Sequence, residues 1–182
     1  VCEQIKKWQE KNIQHVTIAI NLSEEQIRKP DFFDNIMNIV NKYDIEPRML
    51  ELELSENIVI NHDIIVKTVQ QLSGAGFHLS FDDFGTGNST LSYLRTTPID
   101  QLKIDKSFIN NIKAGSTDTA IVGAIIAVAK SMNLQVMAEG VETEQQLNYL
   151  IEQKCEAVQG FLFSKPLSVD DVEQVLQGKL MP

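Results

Sequence analysis

Asp82 and Asp83 stand side by side, after the apolar run Phe77-His78-Leu79-Ser80-Phe81 and before Gly85-Thr86-Gly87. Adjacent carboxylates repel unless a cation lies between them, and a divalent metal with oxygen ligands is the usual answer in the mouth of a site. Gly85 and Gly87 permit backbone conformations that other residues resist, so a plain acidic turn is the weaker account of this segment. Glu51 and Glu53 alternate with Leu50, Leu52 and Leu54. On a half-exposed strand that is ordinary amphipathic alternation; on a strand covered on both faces the carboxylates need partners. Glu56, one step beyond, is placed either to bind metal or to anchor a neighbouring loop. Asn21 ends the apolar run Val16–Ile20 and offers a neutral oxygen to a hard cation, or else serves as a turn or cap residue.

Lys103 lies between Leu102 and Ile104 and just before Asp105. A lysine within a buried strand is expected to be paired or functional, orienting a water or offsetting phosphate charge. Glu139, in Ala138-Glu139-Gly140-Val141-Glu142, is a candidate metal ligand or general base. Glu142 alternatively opens the next helix, where the dipole favours a carboxylate. Gln159, before Gly160, is either a hydrogen-bonding group for a ligand or a loop amide. His15, His62 and His78 have no metal-ligand spacing and read as structural or surface residues. No Gly-x-Ser-x-Gly elbow, Walker loop or Cys-x-x-Cys occurs, which removes support for nucleophilic serine or cysteine catalysis. The remaining set of carboxylates, one Asn and one Lys suits two hard cations about 3.5–4 Å apart, the arrangement that assists in-line hydrolysis of a phosphate ester.

Short β-rich runs alternate with longer helical patterns and must carry these residues. Strands are expected at 16–20, 50–54, 77–81, 102–104, 134–138 and 157–161. Apolar spacing predicts helices around 32–40, 64–72, 91–94, 120–132, 145–153 and 169–177. Such alternation implies βαβ units and a parallel sheet with right-handed crossovers. A doubly wound sheet and a (β/α)8 TIM-type barrel both satisfy it. Asn21, Glu53, Asp82, Asp83, Lys103, Asp105, Glu139 and Gln159 fall at the carboxyl ends of six different strands, which favours the single mouth of a barrel over the one crevice of an open sheet. Against eight units, roughly the first two, about 60 residues, are expected to precede Val1, so residues 1–182 read as one N-terminally truncated domain.

The chain has 182 residues, 43% hydrophobic and 23% charged, with a net charge of −9. The hydrophobic fraction excludes a disordered chain, and the acidic balance argues against broad nucleic-acid binding. An anionic ligand remains compatible, because carboxylates hold cations and cations hold phosphate. No run is long and apolar enough for a membrane span. Two cysteines make no disulfide framework, and a reducing cytoplasm is the expected location.

The ordered motifs Asn21-Leu22-Ser23, Glu53-Leu54-Ser55-Glu56, Asp82-Asp83-Phe84-Gly85-Thr86-Gly87, Leu102-Lys103-Ile104-Asp105, Ala138-Glu139-Gly140-Val141-Glu142-Thr143, Gln159-Gly160-Phe161 and Ser164-Lys165-Pro166 resemble those of the bacterial EAL-domain cyclic di-GMP phosphodiesterases along essentially the whole chain. The resemblance implies a modified TIM barrel that hydrolyses cyclic di-GMP to linear pGpG with Mg2+ or Mn2+. It also implies that Asn21, Glu53 and Asp82 bind one metal, and that Asp82, Asp83 and Glu139 serve the second. Lys103 then positions the attacking water and Glu139 is the candidate general base. Glu56 anchors the Asp82–Asp83 loop, Asp105 and Glu142 support the site, and Gln159 lies near substrate and metal-bound water. A homodimer and upstream sensory or diguanylate-cyclase domains are further family expectations. Ser55 replaces the more usual Thr, and Asn88 a frequent aromatic. No Glu-Ala-Leu triplet occurs in the chain, and the family's first ligand and a substrate-contacting Arg belong to that upstream segment. The competing reading is an inactive cyclic di-GMP-binding or regulatory module; retention of Asn21, Glu53, Asp82, Asp83, Lys103 and Glu139 favours the enzyme. An unrelated metal-dependent barrel such as an aldolase or enolase relative does not predict the Asp-Asp-Phe-Gly-Thr-Gly loop.

Overall fold

A computed structural model describes residues 1–13, 16–55, 63–86, 91–112 and 116–179. Among these residues, six strands form one sheet in sequential order: β1 (Ile18–Leu22), β2 (Leu50–Ser55), β3 (His78–Phe84), β4 (Gln101–Ile104), β5 (Gln135–Ala138) and β6 (Ala157–Val158). Every neighbouring pair is parallel. The helices are α1 (Cys2–Glu10), α2 (Glu24–Ile27), α3 (Phe32–Lys42), α4 (Asp63–Gly74), α5 (Leu91–Thr96), α6 (Lys106–Asn110), α7 (Thr117–Ser131), α8 (Glu144–Glu152) and α9 (Val169–Leu176). A doubly wound sheet reverses its strand order at a switch point. Sequential order without reversal is the arrangement of a barrel, here curled but open between β1 and β6. The curl encloses a cavity of about 500 Å3 whose lining includes Trp8 of α1, Glu51, Glu53, Lys103, Met137 and Leu176 of α9. Lys11, just after α1, reaches Glu173 of α9 at 2.7 Å.

Side-chain alternation builds two distinct layers from each strand. Leu50, Leu52, Leu54, Leu79, Phe81, Leu102, Ile104, Val136 and Ala138 are buried in one apolar cluster with Ile65, Val69 and Leu72 of α4 and Val122, Ile126 and Ala129 of α7. Each such aliphatic side chain contributes about 1.5–3 kcal/mol by leaving water. The alternate residues Glu51, Glu53, Ser80, Gln101 and Lys103 are equally buried but polar, and they form the inner face. Register places Asn21 beside Glu53 and Ala19 beside Glu51, so β1 turns Asn21 toward the same inner face. Helices start where side chains receive the free N–H groups: Ser23, Asp105, Ser116, Thr143 and Ser168 each accept from the following turn, a device worth about 1 kcal/mol per helix.

Three strands differ from the sequence expectation by two residues or more at an end. β1 runs from Ile18 to Leu22, so Asn21 lies within the strand rather than after it. β3 continues through Asp82 and Asp83 to Phe84. β6 has two residues only, because the chain turns at Gly160: the Phe163 N–H donates to the Gly160 carbonyl at 3.1 Å. The short helix α6 has no counterpart in the apolar spacing of the sequence.

Beneath the strand ends, His78 Nδ1 of β3 stands 3.7 Å from Glu51 Oε2 of β2. The Glu51 carboxylate holds the imidazole pKa above its ordinary value of 6.5, against the opposing effect of burial. A raised native pKa contributes stability that is complete below the unfolded-state value and is lost as pH rises through the native one. His78→Gln therefore lowers the melting temperature more at pH 6 than at pH 9; thermal denaturation at both pH values checks this, and an equal loss at the two contradicts it.

Candidate metal-binding active site

Lys103 sits at the centre of the inner face, 4% exposed. Its ammonium donates to Glu53 Oε1 of β2 and meets Glu139 Oε1, just past β5, at 2.5 Å. Asp82 Oδ1 of β3 lies 3.6 Å away. Burial works against the charged ammonium, but Glu139, Glu53 and Asp82 outweigh it and hold the Lys103 pKa above the ordinary lysine value. Burial pushes the Glu139 carboxyl above its ordinary range; Lys103 opposes this, and the charges of Asp82 and Glu53 add to it.

Two adjacent strand residues normally point to opposite faces, yet the carboxylates of Asp82, Asp83 and Glu139 each place an oxygen within 4.8 Å of the others. The β3–β4 register shifts between Phe81 and Phe84, and Asp83 has φ 53°. A bulge of this kind re-aims a side chain, and Asp tolerates the left-handed region better than most residues. Burial and the charges of Asp82 and Asp105 push the Asp83 carboxyl above its ordinary value. Asp105 behaves oppositely: burial raises it, but hydrogen bonds from Ser107 and its neighbours prevail and hold it low. Its Oδ1 accepts the Ser107 N–H at 2.9 Å, so Asp105 caps α6 while flanking Asp83.

Gln159 follows β6 and lines the same cavity as Glu53 and Lys103. Its N–H donates to Ala138 O at 2.8 Å, and its carbonyl accepts from Val141 at 3.0 Å. Gly160 makes that stacking possible, since a Cβ there would lie 2.1 Å from the Val141 carbonyl oxygen. Glu142 is exposed and stands one residue before the Thr143 cap of α8, outside the helix. Glu56, His15, His62, Gly87 and Asn88 lie outside the described residues. Gln146, missed in the sequence reading, is buried beside the site loop; its signal was the Thr143-x-x-Gln146 capping-box spacing. Ser80 and Gln101, also missed, are polar residues hidden in apolar runs.

The donor set fits a hard divalent cation: it is all oxygen, and the buried Asp82 Oδ1 has no hydrogen-bond partner among the described residues. Asn21 and Glu53 share a register line on the same face. Removing the ammonium would leave Glu53 and Glu139 uncompensated, so Lys103→Met should cost about 3–5 kcal/mol in metal-free solution. Melting curves with EDTA and with Mn2+ check this: the variant is expected to recover part of the loss with Mn2+, and wild-type stability in EDTA contradicts the account.

Residues 1–166 match the family model of the EAL domain. The chain is 38% identical over 178 residues, 97% of its length and 23% of the relative's, to the cyclic di-GMP phosphodiesterase NbdA of Pseudomonas aeruginosa. The solved structure of the PaMucR phosphodiesterase in complex with c-di-GMP superposes with a TM-score of 0.88 at 38% identity, covering 94% of this chain and 70% of that one. A manganese/cy-diGMP complex of Klebsiella pneumoniae BlrP1 gives 0.80 at 30% identity, covering 91% and 43%. The chain spans 22% to 25% of the length of three curated relatives it matches. With the family model matched over residues 1–166 and a TM-score of 0.88 to the PaMucR phosphodiesterase structure, the chain belongs to the EAL domain family.

Proposed function

We propose that the protein carrying this chain hydrolyses cyclic di-GMP to linear pGpG with Mg2+ or Mn2+, and that residues 1–182 supply most of one phosphodiesterase domain. The observation that carries this reading is the convergence of Asp82, Asp83 and Glu139 within 4.8 Å, beside a buried lysine, in a chain of the EAL family. NbdA is named as a phosphodiesterase for this substrate, and the BlrP1 complex contains manganese with it. The reading extends to a cytoplasmic reaction and to a homodimer with upstream sensory or diguanylate-cyclase domains. Among the described residues no helix is long and apolar enough to cross a membrane.

Asn21, Glu53 and Asp82 would hold one cation, and Asp82, Asp83 and Glu139 the second. When bound, these cations supply Lewis-acid polarisation of the scissile phosphate and a water of lowered pKa. Glu139, its pKa raised by burial, accepts a proton from the attacking water as the water oxygen bonds to phosphorus and the P–O bond to the leaving sugar oxygen breaks, and that oxygen takes a proton from solvent. Lys103 orients that water through its ammonium and offsets charge on the phosphate oxygens. Asp105 holds α6 at the side of Asp83, Gln159 bounds the substrate side, and Glu56 and Glu142 support the loops.

Incubation of the full-length protein with cyclic di-GMP and Mg2+ or Mn2+ should release linear product, and none in EDTA. Glu139→Gln should lower kcat by about 100-fold or more while substrate binding, measured by calorimetry, stays within a few-fold. Binding without turnover by the wild-type protein identifies the regulatory-module reading instead.

A further inference from the structure

Gln146 is a buried polar residue for which the chemistry above has no use. It lies in the first turn of α8, 7% exposed, and every polar group of its amide is engaged. Oε1 accepts the Glu142 N–H at 2.8 Å and the Thr143 N–H at 2.9 Å. Nε2 donates to the carbonyl of Ile109, in α6, at 3.1 Å. An ordinary capping box needs only the bond to the N-cap N–H. The bonds to Glu142 and Ile109 reach outside α8 in two directions.

Those directions are the two walls of the site. The loop that holds Glu142 and Thr143 begins at Glu139, whose N–H donates to Ile104 O at 3.1 Å. The segment that holds Ile109 begins at Asp105, the cap of α6. Gly140 closes the gap between them: it has φ 72°, and a Cβ there would stand 2.5 Å from the Cβ of Lys106. On the far side, Val141 is pinned to Gln159 at 3.0 Å and to Leu162 at 3.0 Å. The loop after Glu139 is thus fixed to β4 at its start and to the β6 turn in its middle. At its end, Gln146 bonds it to α6.

We infer that Gln146 is a positioning residue for the active site, holding the Glu139 loop against the α6 segment so that Glu139, Asp83 and Asp105 keep one spacing. The inference rests on the proposed phosphodiesterase reading for its kinetic consequence, but not for its structural or metal-binding consequence. Residues that orient metal ligands from behind typically change metal affinity or activity about 10–100-fold when lost.

Two variants separate this role from simple helix capping. Gln146→Glu keeps an acceptor for Glu142 and Thr143 but loses the donor to Ile109; Gln146→Leu loses both. In the full-length protein, Gln146→Glu should melt below wild type, because a carboxylate oxygen then faces the Ile109 carbonyl in place of the Nε2 donor, while in the folded variant Mn2+ affinity by calorimetry and kcat for cyclic di-GMP each fall about tenfold or more, with KM within about twofold. Gln146→Leu should show the same losses at a lower melting temperature. Wild-type Mn2+ affinity in a folded Gln146→Glu overturns the inference and leaves Gln146 a cap. Hydrogen exchange on the wild-type protein decides the case if the variants fail to fold: slower exchange of the Glu142 and Thr143 amides on Mn2+ binding upholds it, because coupling between two sites is reciprocal, and protection that Mn2+ leaves unchanged overturns it. A wild-type protein that binds Mn2+ but turns over no cyclic di-GMP defeats the functional reading alone, and the Mn2+ affinities still decide the role of Gln146.

Discussion

A single buried ammonium sets the electrostatics of this chain. Lys103 has carboxylates on three neighbouring elements: Glu53 on β2, Asp82 on β3 and Glu139 past β5. None of these charges could be buried alone without a penalty of several kcal/mol. Their mutual compensation lets a parallel sheet, covered outside by helices, carry a charged inner face. The same compensation leaves the cluster chemically unfinished: Asp82 Oδ1 has no hydrogen-bond donor among the described residues, and Asp83 is held above its ordinary pKa by burial, Asp82 and Asp105. A divalent cation relieves both conditions at once, which is why the stabilising network and the proposed catalytic site occupy the same residues.

Backbone geometry does the remaining work. The Asp82–Asp83 pair acts as a unit only because the bulge after Phe81 and the left-handed Asp83 defeat strand alternation. The Glu139 side depends on close backbone approaches: Gly140 against Lys106, and Gly160 against Val141. The six sequential strands bring these exits around one mouth.

Much of this was legible in the sequence. The Leu-Glu-Leu-Glu-Leu alternation of β2 announced a strand whose carboxylates need partners, and the polar residues after successive apolar runs pointed to a barrel rather than a doubly wound sheet. Individual motif residues were visible because charge and glycine are conspicuous in apolar surroundings. The convergence of Asp82 with Asp83 was not, since it rests on a φ angle that no periodicity encodes. The apolar run of residues 16–20 stops at the polar Asn21, whereas register with Glu53 keeps Asn21 in the strand. The last strand was drawn too long because Phe161 continues an apolar pattern that the turn at Gly160 interrupts. Gln146 escaped notice because an amide in a helix's first turn looks like surface, and only the fold brings Ile109 to it.

The central claim is that Asp82, Asp83 and Glu139 form a divalent-cation site beside Lys103. Anomalous diffraction from crystals of the full-length protein soaked in Mn2+ tests it most directly. The account predicts a manganese peak within the coordination distance of hard divalent cations, about 2.0–2.6 Å, of carboxylate oxygens from all three residues. Manganese peaks none of which lies beside Asp82, Asp83 and Glu139, or no peak at saturating Mn2+ with Lys103 still bonded to Glu53 and Glu139, would contradict it.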